Sequence, residues 1–201
     1  MPNFAIPKTV AVMKLNQFTL FPHGVIPLRI WEPRYVEMLQ HAMEGDCFFS
    51  LCCLQSKSEA ATVEPCDIGT LVLLRASHAS NDGTYNILVH GMIRVRFLEW
   101  HLDAAYPRAS IEPLHSLAVP DNQCKAAVRT LRGCVEDAID DLPAEMQKAI
   151  SELLHDTDDP AALADIVSQH FIHDPSERQK LLEELSAATR ISRLCQAIQR
   201  D

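Results

Sequence analysis

Apolar runs broken at short intervals by Gly, Pro, Ser, Asn and Asp fill the first 117 residues, at Phe48–Leu54, Thr70–Ala76 and Tyr85–Leu98. Runs of this length between turn residues predict strands. Asp82-Gly83, within Ala79-Ser80-Asn81-Asp82-Gly83-Thr84, supplies a positive-φ turn that joins the second and third runs as a hairpin. Ile93, Val95 and Phe97 alternate with Arg94 and Arg96, which predicts one face in a core and the other toward water or a partner. Gly91 interrupts the long third run and predicts a bulge or bend, the means by which a sheet curls toward a barrel.

The segment Leu20-Phe21-Pro22-His23-Gly24-Val25-Ile26-Pro27-Leu28-Arg29-Ile30-Trp31-Glu32-Pro33-Arg34-Tyr35 follows neither period. Each proline fixes φ and removes a donor, so Pro22 and Pro27 suit strand ends, sheet edges or crossovers, and Pro33 suits the first turn of a helix. That helix is expected from Pro33 to Met43, with Val36, Leu39 and Met43 facing inward and Glu37 and Gln40 facing water.

After Pro120 the period changes to that of helices. Asp121 precedes a stripe of Cys124, Val128, Leu131 and Val135; Asp141 stands before Pro143; Asp159-Pro160 and Asp174-Pro175 each read as an N-cap followed by a first-turn proline. Leu163, Ile166, Val167, His170 and Phe171 make one apolar face, Leu181, Leu182 and Leu185 another, and Ile191, Leu194, Cys195 and Ile198 a third. Short connections between four or five such helices predict a compact antiparallel bundle. The fold class is therefore α+β: a β-rich curled sheet or partial barrel with one helix over residues 1–117, then a helical bundle over 118–201.

The proline-rich segment resembles the opening of the N-terminal domain of Lon proteases, in Leu20-Phe21-Pro22, Val25-Ile26-Pro27-Leu28 and Ile30-Trp31-Glu32-Pro33-Arg34-Tyr35. Ile87-Leu88-Val89-His90-Gly91-Met92-Ile93-Arg94-Val95-Arg96-Phe97 is similar to that family's glycine-arginine strand, and Asp159-Pro160-Ala161-Ala162-Leu163-Ala164-Asp165 to its helical entry. Ala11-Val12-Met13-Lys14-Leu15 replaces the family's usual proline-leucine lead-in. The resemblance implies a PUA-like β-barrel followed by helices, and a role in engaging polypeptide substrates and in assembly. It also implies a free-standing form, without the ATPase and serine-lysine peptidase modules of a full Lon protease.

Length and charge narrow the classes. A chain of 201 residues hides about 70% of its unfolded surface and needs no disulfide or metal to hold a core. The formal charge of -9, from 27 acidic and 18 basic residues, argues against nucleic acid as a partner. No apolar run reaches the roughly 20 residues that cross a bilayer, and no signal peptide is read, so no membrane partner and a cytoplasmic location are expected. Seven scattered cysteines without a Cys-x-x-Cys spacing read as free thiols.

The chemistry in the sequence is sparse. Six glycines include no Gly-x-x-x-x-Gly-Lys-Ser/Thr loop, and Ser151, Ser168 and Ser186 fall on helix surfaces without the flanking glycines of a strained nucleophile turn. His170-x-x-His173-Asp174 and His155 near Asp156, Asp158 and Asp159 read better as a helix end and a solvated acidic loop than as metal sites. Cys52 or Cys53 with His90 lacks the helix N-terminus or basic neighbour that lowers a thiol pKa. Arg75, Arg94, Arg96 and Arg108 are expected to pair with local acids rather than to form an anion stripe. No catalytic residue, metal site or cofactor is assigned.

The remaining candidates are partner contacts: Phe21, His23, Trp31, Tyr35, Arg94 and Arg96, because aromatics with arginine anchor protein interfaces. For Trp31 and Tyr35, wedging the helix against the sheet is the stronger reading. Trp100 and Tyr106 follow the arginine strand, and an edge near Pro22 or Pro27 is a place for strand addition. The expected function is a non-catalytic module that binds unfolded or partner polypeptide, as an adaptor or substrate-recognition protein. The alternatives are a small-molecule hydrolase with its site in a cleft between the two parts, and a homo-oligomer built on the stripe through Ile191, Leu194 and Ile198.

Overall fold

The structure, a computed structural model, describes residues 6–56, 63–101, 103–140, 142–155 and 157–199. Asp141 and Asp156 lie outside the described residues. The chain divides into two compact units, one ending at Leu114 and the other beginning at His115. The division falls before residue 117 because Leu117 bridges Ser186 and its amide donates to the Leu185 carbonyl at 2.7 Å, which ties it to the helices.

In the first unit the order is β1 (Thr9–Asn16), β2 (Val25–Ile30), α1 (Pro33–Glu44), β3 (Phe48–Ser56), β4 (Val63–Pro65), β5 (Ile68–Ala79), β6 (Tyr85–His101) and β7 (Arg108–Leu114). The strands run β1-β7-β6-β5-β3, and β1 also pairs with β3 in parallel, so the sheet closes into a barrel. Val10, Val12, Cys52, Leu71, Val95, Phe97, Ala109 and Ile111 share one buried cluster, each strand sending alternate residues to the same side. The 17-residue β6 makes this possible by serving two neighbours in turn: its first half pairs with β2 and its second half with β7.

The turn at Asp82-Gly83 is present, with Gly83 at φ 80°. The irregularity at Gly91 is present too: the β5–β6 register slips between Leu71 and Val72, whose partners are Ile93 and Gly91. Helix α1 packs over β1, β3, β5 and the start of β6 through Tyr35, Met38, Leu39 and Ala42. This stripe differs from the expected Val36, Leu39 and Met43, of which only Leu39 is fully buried. Tyr35 sets the rotation: the Lys14 amide donates to its hydroxyl at 3.0 Å, and the hydroxyl donates to the Lys14 carbonyl at 3.2 Å.

The second unit holds α2 (Asp121–Ala138), α3 (Ala144–His155), α4 (Pro160–Phe171), α5 (Pro175–Glu183) and α6 (Ala187–Ile198). Asp159 caps α4 through the amides of Ala161 and Ala162, Asp174 caps α5 through Glu177, and Ser186 caps α6 through Thr189. Asp121 is the first residue of α2 and Pro120 holds the cap position. Val128, Leu131, Val135, Leu163, Val167, Leu181, Leu182, Ile191 and Leu194 are buried, so the stripe of α6 is largely covered within its own unit.

Three arginines close helix ends here. Arg132 of α2 donates to the carbonyls of Leu154 and Thr157 at the end of α3, and Arg178 of α5 to those of Ser168, Gln169 and Ile172 at the end of α4. Such carbonyls have no partner inside their own helix. Arg190, fully buried on α6, pairs with Asp165 at 3.3 Å and donates to the carbonyls of Glu184 and Ala161 and to the Ser116 hydroxyl.

Candidate functional site: an apolar strand face with a cationic end

The crossover before β2 lies directly on β6. Gly91 donates to the Gly24 carbonyl at 2.8 Å, His23 donates to the Gly91 carbonyl at 2.8 Å, and Gly24 donates to the Phe21 carbonyl at 3.1 Å. A Cβ at position 91 would stand 2.2 Å from the Phe21 carbonyl oxygen, so only glycine admits this approach. Thr70 fixes the other end by donating to the Leu20 carbonyl. The tight turn puts His23 at φ 67°, a left-handed conformation uncommon for a side-chain-bearing residue, and leaves its imidazole exposed.

From that anchor β2 runs antiparallel to β6, with Val25 opposite His90, Pro27 opposite Leu88 and Arg29 opposite Asn86. Ile26, Leu28 and Ile30 turn toward the core of α1, while Val25, Pro27 and Arg29 turn outward. Trp31, one residue past the strand, continues the outward alternation. It is 68% exposed, Val25 is 53% exposed and Leu88 37%. Over the six steps from Val25 to Trp31, at about 3.3 Å each, the strip is roughly 20 Å long.

Of the expected contacts, the structure leaves His23, Trp31 and Arg96 at the surface and buries Phe21, Tyr35 and Arg94. Phe21 is covered because the crossover presses on Gly91, Tyr35 because its hydroxyl reaches the backbone of β1, and Arg94 because it lies mid-strand between Thr70 of β5 and Leu114 of β7. These three are corrected to structural residues. Trp31 is corrected the other way, since it does not wedge α1. Arg96 is bonded to Glu112, its cross-strand partner, at 2.8 Å, and Arg108 to Asp103 at 3.2 Å, the local pairing expected of them. Trp100 is half-buried against Phe97, with the Lys14 ammonium 3.9 Å from its ring centre, and the buried Tyr106 hydroxyl lies 2.8 Å from His41 Nδ1.

Arg75, Val25, Pro27 and Leu88 were not singled out together by sequence, because nothing in it shows that β2 and β5 flank the same half of β6. Arg75 is the extra residue where the register slips between Leu74 and Ala76, and it is exposed. Its charge, together with that of His23, acts on His90, whose pKa is held below the ordinary histidine value first by burial and then by these two neighbours. Imidazoles and guanidinium thus gather at the Val25 end. Strand addition at β2 is disfavoured by Pro27, which removes a donor from that edge, and Pro22 is buried in the turn.

The nucleophile readings find no support in the geometry. Burial pushes the Cys52 thiol up to about 12, and its sulfur donates to the carbonyls of Cys53 and Cys66 inside the barrel. A groove of about 670 Å³ along α2 and α3 is lined by Cys124, His155 and Asp158 among others. There the thiol donates to the Val119 carbonyl, the imidazole lies 2.9 Å from the Ser151 carbonyl, and the carboxylate accepts from Arg132. Each is bonded away from the other two, so nucleophile and base are not joined. Ser168, expected at a surface, is buried and donates to the Ala164 carbonyl, while His170 of the same helix, expected on its apolar face, is exposed. Among the described residues no three His, Cys, Asp or Glu side chains are placed to share a metal ion, and no helix is long and apolar enough to cross a membrane.

The family described as the ATP-dependent protease La (LON) substrate-binding domain matches residues 9–200. The chain belongs to that family. Lon protease 1 of Myxococcus xanthus is 28% identical over 95% of this chain and 24% of its own length, and the Lon protease of Escherichia coli K12 is 28% identical over 87% and 22%. The chain thus spans about a quarter of the length of the curated Lon proteases it matches. The solved N-terminal domain of a Mycobacterium avium complex Lon protease superposes with a TM-score of 0.74 at 16% identity, covering 96% of this chain and 98% of that one. A Lon N-terminal domain protein from Xanthomonas campestris gives 0.66 at 17% identity, covering 92% and 96%. The Lon substrate-binding domain is thus present here almost from end to end, and the strip from Val25 to Trp31 lies in its β unit.

Proposed function

We propose that this chain is a non-catalytic polypeptide-binding module that recognises unfolded or partner segments on the outer face of β2 and β6, as a substrate-recognition or adaptor protein. The observation that carries the reading is Trp31, a large aromatic 68% exposed at the end of a strand face that also exposes Val25, Pro27 and Leu88 and is crossed by the Arg29–Asp82 ion pair, in a member of a substrate-binding domain family. Exposed aromatics of this kind are costly to leave in water and are the usual energetic anchors of interfaces. Burying Trp31 removes roughly 150–250 Å² from water, a gross gain of several kcal/mol at about 25 cal/mol/Å², much of it offset by ordering the bound segment. A strip roughly 20 Å long accommodates an extended segment of about six residues.

The test is site-directed photo-crosslinking with a carboxymethylated, permanently unfolded protein. A photoreactive phenylalanine analogue at position 25 or 31 is expected to crosslink, and the same analogue at exposed Glu44 on α1 is not. Crosslinking from position 44 alone, or from none of the three, contradicts the reading. A nucleophile and base in the groove along α2 and α3 are less well supported as a second reading, because Cys124, His155 and Asp158 each hold a different partner.

A further inference from the structure

We infer that the face selects apolar segments that carry acidic residues at one end, which seat on Arg75, His23 and His90. This rests on the polypeptide-binding reading above and adds the chemistry of the ligand. The whole chain carries -9, yet the strand segments that build the face, Val25–Ile30, 75–79 and 85–90, contain no aspartate or glutamate. The acid of the adjoining hairpin, Asp82, is already bonded to Arg29 at 3.0 Å. Arg75 has no ion-pair partner among the described residues, unlike Arg29, Arg34, Arg96 and Arg108, which are each paired with a carboxylate.

The register makes the face asymmetric. Val25 stands opposite His90, and His90 stands opposite Leu73 on the far side, two residues before Arg75. His23 joins them because its amide is tied to the Gly91 carbonyl. Arg75 contributes the fixed charge, while the two imidazoles add N–H donors beside it. At the opposite end Trp31 is aromatic and the local cation is neutralised by Asp82. A carboxylate arriving at the Val25 end therefore gains a guanidinium partner. A lysine arriving there meets a like charge, and the strand segments of the face supply no acid to offset it. Such an arrangement discriminates by repulsion as well as by attraction.

The experiment is fluorescence anisotropy of the whole chain with three labelled peptides sharing one apolar core: an uncharged one, one with a terminal pair of aspartates, and one with a terminal pair of lysines. At low salt the acidic peptide is expected to bind about tenfold or more tighter than the basic one, with the difference shrinking as salt is raised. Arg75→Glu is expected to abolish or invert that preference, and Arg75→Gln to give an intermediate result. Circular dichroism confirms that both variants are folded. Equal binding of the acidic and basic peptides, or a preference that survives Arg75→Glu, overturns the inference and leaves the polypeptide reading standing. Failure of all three peptides to bind overturns both.

Discussion

The amide of His23 donates to the carbonyl of Gly91 at 2.8 Å, and this bond decides where β2 begins. With the Gly91 amide bonded to Gly24, the proline-rich crossover becomes a continuation of the β6 ladder. Everything outward of it follows from the alternation: Val25, Pro27, Arg29 and then Trp31. The strained φ of His23 is held by those same bonds.

Replacing Gly91 by alanine is expected to destabilise the β unit by about 1–3 kcal/mol or more, since the new methyl meets a backbone carbonyl that cannot step aside. Gly83→Ala is the control: nothing lies within 4 Å of its Cβ position, and only the positive φ resists, at about 1–2 kcal/mol. Urea unfolding followed by tryptophan emission measures both, because Trp31 and Trp100 lie in this unit. The Gly91 variant is also expected to weaken polypeptide binding, and the Gly83 variant to leave it unchanged.

Much of this fold can be read from the chain. The Asp82-Gly83 turn, the bulge at Gly91, the helix starting at Pro33 and the Asp-Pro caps are local events, set by φ restrictions and by side chains that reach only their own backbone. Burial was harder to read, since it depends on what another strand brings. Arg94 looks like an outward residue between Ile93 and Val95, and only its neighbours Thr70 and Leu114 place it in the interior. Tyr35 and Trp31 are four residues apart and both aromatic, yet a hydroxyl bond to Lys14 draws one in and the end of a strand leaves the other out. The cationic end of the face was the least legible part, because a register slip near Arg75 leaves no mark in sequence.

Tyr35→Phe removes one donor and one acceptor from Lys14 and is expected to cost about 1–2 kcal/mol. Trp31→Ala, at an exposed site, is expected to change stability by no more than about 0.5 kcal/mol. The same urea titrations separate the two, with emission from Trp100 as the signal in the Trp31 variant. A large loss from Trp31→Ala would return that residue to the core.

In the helical unit, Asp165→Ala leaves the fully buried Arg190 without its counter-charge and is expected to cost about 3–5 kcal/mol. Arg190→Met also frees the carbonyls of Glu184 and Ala161 and is expected to be at least as costly. In a double-mutant cycle the two losses are expected to fall well short of additive. Ellipticity at the helical minimum follows this unit.

Acidification is expected to destabilise both units between about pH 7 and 5.5. Burial, then the charges of Arg75 and His23, hold His90 below the ordinary histidine value; desolvation of the covered part of its ring, then Arg178, does the same for His170, although the residue as a whole is exposed. Near pH 6.5 the unfolded chain therefore takes up protons that the folded chain refuses, so stability falls as pH falls. Urea midpoints across this range provide the measurement. His90→Gln is expected to flatten the slope for the β unit, and His170→Gln for the helical unit.

The emission of Trp31 tests the central claim most directly. With Trp100 replaced by phenylalanine, Trp31 is the sole tryptophan, and its spectrum in the free protein is expected to be that of a water-exposed indole. On titration with a permanently unfolded polypeptide, saturable movement of that emission to shorter wavelength is the predicted result. Binding of the polypeptide, seen by anisotropy, with the Trp31 spectrum unmoved would contradict the account and place recognition elsewhere on the molecule.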